Sequence, residues 1–415
     1  MAKNIEAGSS MDDKAVGLPD AKDALTDIFS TGGLVTFVEE RFTKSEESRR
    51  SDETRWLRAY RNYRGLYGPD VKFTETEKSR VFVKVTKTKT LAAYGQITDV
   101  LFANNTFPLS IEPTTLPEGV AESVHFDTDP NMQKVDRDIG GLFGYKGDGK
   151  DFPAGATATS LMDALGPLKE SLQDLDVKNG PGATPTSITF HPAMVAAKRM
   201  QKKIMDQLEE SNANKQLRST AFEMSLFGTG IMKGPFAVDK EYAKWDEEGT
   251  YNPLIKTMPQ TSHVSVWNFY PDPDAANMDD AAYCIERHKM TRSQLRALKN
   301  RPMFRPNVIN QVIEEGENYV KKYWEDDLND YTNVTDIERF EVFEYWGVVD
   351  VEMLERNDID IPKAFKDASE LQANIWICGG KILRLVLNPF KPVRIPYYAV
   401  PYELNPYSFF GVGIA

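Results

Sequence analysis

A chain of 415 residues, 41% of them hydrophobic, is long enough for two or three cores and too apolar to be disordered overall. The formal net charge of -12 excludes a protein that grips nucleic acid by neutralising many phosphates, but it suits one that surrounds a duplex without holding it. No apolar run reaches the roughly 20 residues that span a bilayer, the N-terminal MAKNIEAGSSMDDK has no secretory apolar segment, and Cys284 and Cys378 lie too far apart in sequence to suggest a disulfide framework or a zinc site. The expectation is a protein made in the cytosol, with no membrane contact and with both cysteines as small core residues.

Residues 1–20 are small, polar and acidic and read as a mobile tail. Ala21 to Phe29 reads as a first short helix, which Gly32 and Gly33 separate from an apolar face at Leu34, Phe37, Val38 and Phe42. Ser51 to Tyr67 reads as a helix with Trp56, Ala59, Tyr60 and Tyr63 on one side. Arg55, Arg58, Arg61 and Arg64 flank it, their stems on aromatic rings and their heads toward acids such as Glu46, Glu47 and Asp52. Gly68 and Pro69 close it. Residues 80–102 begin with alternating Val81, Val83 and Val85, a short strand or a first helical turn, and continue at helical spacing through Leu91, Tyr94, Ile97 and Leu101. Phe107 to Pro113 reads as a strand.

From Leu116 to Pro192 the composition turns rich in Gly, Pro and Asp, which marks an insertion on the periphery, best read as a surface flap. Leu161, Leu165, Leu168, Leu172 and Leu175 recur at coiled-coil spacing there, interrupted by Gly166 and Pro167. The same segment holds GYKGDGKD, Gly144 to Asp151, which has phosphate-loop spacing. It lacks the preceding apolar strand, the following helix and the hydroxyl that should follow Lys150.

His191 to Gly234 is the longest amphipathic stretch. Ser211, Asn212 and Asn214 divide it into two helices or kink one, Gly228 stops it, and a strand follows. Ile231 to Trp245 and Tyr251 to Met258 form a predicted hairpin, with Val264 to Tyr270 as a third strand. In YPDPDAANMDDA the acids Asp272, Asp274, Asp279 and Asp280 fit turn chemistry better than a metal site, and His125, His191, His263 and His288 show no ligand pairing. TRSQ, Thr291 to Gln294, is a capping box for a short helix ending before Pro302. Asn307 to Trp324 reads as a further helix with Val308, Ile309, Val312, Ile313, Tyr319, Val320 and Tyr323 as its apolar set. Phe340 to Val351 alternates as a strand does, and Ile375 to Leu387 is a hairpin turning at Gly379 to Lys381. The chain closes on the apolar IPYYAVPYELNPYSFFGVGIA, an ending that looks unfinished.

Taken in order, RWLRAYRNYRGLYG, SRVFVKVTKTKTLAAYGQITDVLF, LFGTGIMKG, VSVWNFYPDPDA, MTRSQLRAL, VFEYWGVVD, GGKILRLVLNPF and the closing segment resemble the portal proteins, or head-to-tail connectors, of tailed bacteriophages, most closely those of short-tailed phages. The resemblance implies an α+β portal-like fold and a homo-oligomeric ring, usually of about twelve subunits, at one capsid vertex of the virion. Such a ring passes double-stranded DNA without sequence specificity, and its partners are the major capsid protein, the terminase large subunit and tail adaptor proteins. No cofactor, metal or catalytic residue is implied, the packaging energy coming from a separate ATPase.

Carried over by position, the resemblance implies wing helices and strand at 21–115, the insertion at 116–190 and a wing helix with β-hairpin at 191–275. Stem helices follow at 276–330, a small β-containing clip at 331–400 and the start of a second stem helix at 401–415. Stem or channel candidates are then Thr291, Arg292, Arg296, Asn307, Lys321 and Lys322. Clip or partner candidates are Tyr345, Trp346, Trp376, Lys381 and Arg384. The alternatives are another head-tail adaptor or scaffold-like virion protein, or a nucleotide-dependent packaging enzyme using Gly144 to Lys150.

Overall fold

Leu34, Val35, Val38 and Phe42 are all buried on one side of a single 28-residue helix, α1 (Ala21–Ser48), in the computed structural model of the chain. The residues described are 21–76, 80–102, 107, 109–113, 124–127, 176–179, 185–190, 192–245, 249–328, 338–357, 359, 361–365 and 367–415. The expected N-terminal tail, the GYKGDGKD segment and the leucine seam at 161–175 lie outside them.

The architecture is mixed helix and sheet. After α1 come α2 (Arg50–Arg64), α3 (Val85–Phe102), three short strands β1 (Val124–Asp127), β2 (Asp176–Asn179) and β3 (Pro185–Phe190), then α4 (Pro192–Glu210), α5 (Ala213–Phe227), β4 (Thr229–Tyr242) and β5 (Leu254–Val264). There follow β6 (Phe269–Pro271), β7 (Tyr283–Thr291), α6 (Arg292–Ala297), α7 (Pro306–Glu315), α8 (Glu325–Leu328), β8 (Arg339–Asp350), α9 (Val351–Arg356), β9 (Glu370–Cys378), β10 (Lys381–Leu387) and β11 (Tyr397–Pro401). No described helix is long and apolar enough to cross a membrane.

Two compact units divide the chain. The first comprises Met1–Ile97, Gln216–Pro235 and Thr261–Ala415, and the second Thr98–Lys215 and Phe236–Gln260. The first is built on a five-stranded antiparallel sheet ordered β10-β9-β8-β7-β6. Because side chains alternate across a strand, Tyr283, Ile285, Tyr345, Val349, Ile375 and Ile377 share one face, and the apolar stripe of α1 covers it. On the other face Phe340, Val342, Trp376, Cys378 and Leu383 meet Leu295, Leu298, Ile309, Val312 and Ile313 from the α6–α7 segment. With both faces covered, the sheet interior must also take whatever polar residues its alternation places there.

The second unit contains a small antiparallel sheet ordered β1-β3-β2, in register from Val124↔Phe190 to Asp127↔Ser187 on one side of β3. Those strands fall in the insertion, and they are its described parts. In the same unit the Lys256 ammonium pairs with the Glu210 carboxylate at the end of α4 at 2.7 Å, and the Trp245 and Tyr251 rings meet across the hairpin end.

Several expectations match. The break between α4 and α5 falls at Ser211 and Asn212, where Asn212 takes φ 55°, and Gly228 (φ 97°) stops α5 before β4. Thr291 and Gln294 form the capping box of α6, the β9–β10 hairpin turns at Gly379 and Gly380, and Cys284 and Cys378 are buried core residues. Arg55 pairs with Asp52 at 2.6 Å as expected, whereas Arg61 reaches Asp327 at 2.7 Å instead of a nearby acid.

Other expectations are corrected. Gly32 and Gly33 sit inside α1 without breaking it, because burial of its apolar stripe outweighs the roughly 1 kcal/mol each glycine costs a helix. The helix at 51–67 ends earlier, at Arg64, where Gly65 adopts the left-handed conformation and returns its N–H to the Arg61 carbonyl. Val81 and Val83 precede α3 in irregular, exposed chain, and the described residues at 107–113 carry no strand. The third strand of the β4–β5 hairpin sheet is β11, while Phe269–Pro271 joins the larger sheet.

The stem and clip expectations change most. The helix expected over Asn307 to Trp324 stops at Glu315, because Gly316 takes φ 95° and ψ -169°; Tyr319 and Tyr323 then turn their hydroxyls to Glu325 and Glu53. Among the described residues of 276–330 no long stem helix stands: β7 and the short α6 and α7 belong to the same sheet and core as β8, β9 and β10 from the supposed clip. Residues 401–415 hold no helix either. They fold back through a Glu403↔Val412 bridge and lay Gly411 and Gly413 against Gly228.

Candidate functional site

Glu286 on β7 and Glu344 on β8 are direct cross-strand neighbours. Two carboxylates in that position repel unless a cation lies between them. Lys233 supplies it from β4, donating to Glu286 Oε2 at 2.7 Å and also to Glu344 Oε2. Tyr397 on β11 donates its hydroxyl to Glu286 at 2.6 Å, Trp346 donates its indole N–H to Glu344 at 2.7 Å, and His288 Nε2 lies 2.8 Å from Glu344. The His288 ring stacks on Trp376 at 5.1 Å.

The electrostatics follow from this packing. Burial pushes the Glu344 carboxyl up, but Lys233 and His288 outweigh it and hold the group down at about 2. Burial favours neutral Lys233, yet the two glutamates raise it above the ordinary lysine value. Burial pushes the Cys284 thiol well above its usual range, so it is no thiolate nucleophile.

Ligand atoms of Glu286, His288 and Glu344 lie within 4.8 Å of one another, close enough to hold a metal ion. The Lys233 ammonium already sits between both carboxylates, so the set is charge-compensated by the chain itself, and a divalent cation would have to displace it. The arrangement is an ion cluster joining the β4 and β11 strands to the large sheet. His288 was visible in the sequence only as an unpaired histidine, because cross-strand register, not local spacing, brings its partners. The available signal was a lone lysine in the apolar run GIMKGPF.

The acids of YPDPDAANMDDA form turns: Asp272 accepts from the backbone N–H of Ala282 and Asp274, and Asn277 from those of Asp279 and Asp280. Of the stem candidates, Thr291 is consumed by its capping box, and Arg292 pairs with Glu338 at 2.6 Å. Arg296 and Asn307 are exposed nearby on α6 and α7. Lys321 and Lys322 lie apart from them, bound to Asp326 and Glu46. Of the clip candidates, Tyr345, Trp346 and Trp376 are 0%, 2% and 6% exposed, so they are core residues and cannot meet a partner as expected. Lys381 pairs with Glu315, and Arg384 lies over the Phe304 ring and donates to Asn374 at 3.1 Å.

Large apolar side chains reach the surface at many other described positions, Val81, Val100, Trp245, Ile255 and Met303 among them, and one group follows the chain near its end. Tyr398 and Val400 project from β11, the edge strand of its sheet, and Tyr402, Leu404 and Tyr407 follow, with Tyr407 94% exposed. The chain matches no known protein family, and no characterised protein is detectably similar to it.

Proposed function

We propose that the protein is a structural subunit of a portal ring, which at one capsid vertex forms the channel for genome packaging and ejection and docks terminase and tail adaptors. The observation that carries the reading is the set of exposed apolar side chains at Tyr398 and Val400 on edge strand β11 and at Tyr402, Leu404 and Tyr407 just after it. Exposed apolar side chains on and beside an edge strand suit permanent contact with another protein chain. The ordered series of segments from RWLRAYRNYRGLYG to GVGIA supplies the kind of assembly. The net charge of -12 fits a channel wall that a duplex slides past without sticking.

On this reading the subunits associate through the sheet-based body, since 291–324 offers no long helix. Native mass measurement with top-view electron micrographs of the purified chain tests it. A closed ring of about twelve copies with a central hole is expected, as closed rings arise from repeated head-to-tail contacts. A monomer or dimer across micromolar concentrations would contradict the proposal.

A further inference from the structure

The five-stranded sheet is antiparallel throughout, so its strand ends fall into two sets. The β6–β7 turn, the segment after β8 and the entry to β9 lie at one end. The exit of β7 into α6 and α7, the start of β8 and the β9–β10 turn lie at the other.

Opposite charge gathers at the first end and on the α6–α7 segment that β7 leads into, which lies over one face of the sheet and against the middle of edge strand β10. At the first, Asp274, Asp279, Asp280, Asp350, Glu355 and Glu370 are exposed and have no cation partner among the described residues. Glu352 pairs locally with Arg356, and Lys363, Lys391 and Arg394 only partly offset the excess. On that segment and at the start of β8, Arg296, Lys299, Arg301, Arg305 and Arg339 have no carboxylate partner among the described residues, Lys299 reaching only the Asn310 amide. Cations crowd there: the Phe304 and Arg384 backbones bridge, and Arg301 adds its repulsion to burial in depressing Arg384. Arg292–Glu338 and Lys381–Glu315 are already paired, and the exposed Glu314 and Glu317 only partly offset the basic excess.

A chain of net charge -12 repels its own copies unless complementary patches meet, and a ring needs two different patches on each subunit. We infer that the basic patch on the α6–α7 segment, around Arg296, Arg301 and Arg305, docks on the acidic end of the sheet, around Asp279, Asp280 and Glu370, of a second copy of the chain, head to tail. The inference rests on the ring reading and names its contact. A duplex is the other candidate for the basic patch, and the chain's overall charge disfavours it.

The test uses the full chain with two charge-reversed variants, Arg296→Glu with Arg301→Glu, and Asp279→Lys with Asp280→Lys, each checked for folding by thermal melting. Native mass as a function of concentration should show each variant assembling at least about tenfold less readily than the unmodified chain, since juxtaposed like charges are costly. Mixing the two variants, or combining all four changes in one chain, should restore assembly. Rings that form unchanged in both variants overturn this inference and leave the ring reading standing. An unmodified chain that never assembles overturns both. Unchanged assembly together with loss of duplex binding in the arginine variant would assign the basic patch to phosphates and overturn it as well.

Discussion

Arg49, 2% exposed at the junction of α1 and α2, reaches the main-chain carbonyl of Trp267 at 2.9 Å and that of Phe269, while its Nε pairs with Glu53 at 2.9 Å. Its guanidinium also lies 4.0 Å from the Tyr270 ring centroid. One planar cation thus satisfies two carbonyls at the start of β6 and a buried carboxylate on α2. Replacing Arg49 with Ala leaves Glu53 with only the Tyr323 hydroxyl and no counter-charge and strands both carbonyls, and is expected to cost roughly 3–5 kcal/mol in urea unfolding. Arg49→Lys should recover only part of this, because an ammonium lacks the fork geometry. A loss below 1 kcal/mol for the alanine variant would contradict the tether.

The Glu344 cluster sets the response to acid. The folded carboxyl, at about 2, lies below the ordinary 4.5, so its contribution is full above 4.5 and is lost as pH falls toward 2. That contribution is on the order of 3 kcal/mol. Lys233, raised above its ordinary 10.5, acts at the other limit: its contribution is full below 10.5 and is lost as pH rises through the folded value. Glu344→Gln should flatten the acid limb of unfolding free energy measured between pH 5 and pH 2, ranges set by those values. An acid limb identical to that of the unmodified protein would refute the assignment.

Gly228 ends α5 at φ 97°, and a Cβ there would come within 2.4 Å of the Gly411 carbonyl oxygen and 2.5 Å of the Gly413 amide nitrogen. Both obstacles are backbone. Gly228→Ala therefore combines left-handed strain with displacement of the returning C-terminal segment, and should cost roughly 2 kcal/mol or more. Thermal melting gives the loss, and faster proteolysis near residues 403–413 identifies where it falls. Gly33→Ala, in α1 with nothing within 4 Å of its Cβ, is the control and should be neutral or slightly stabilising.

The sequence by itself determined the local elements whose signals are short-range. Alternation in FEVFEYWGVVDV marked β8, paired glycines marked the β9–β10 turn, and TRSQ wrote its own capping box, because each depends on dihedral preferences and neighbours a few residues away. Burial of Trp56 was legible for the same reason, since apolar residues at a regular period must face something, and the cysteines read as core because their spacing suggests neither a disulfide framework nor a zinc site. The tertiary structure alone decided what they faced. Tyr345, Trp346 and Trp376 look like contact residues as a sequence and are core, because α1 on one face and α6–α7 with the ion cluster on the other cover the sheet. Lys233, Glu286, His288 and Glu344 span more than a hundred residues and meet only through strand register, a long-range choice that no local spacing encodes. Tertiary packing likewise separates the acidic strand ends from the basic α6–α7 segment, which in sequence are interleaved between residues 274 and 370.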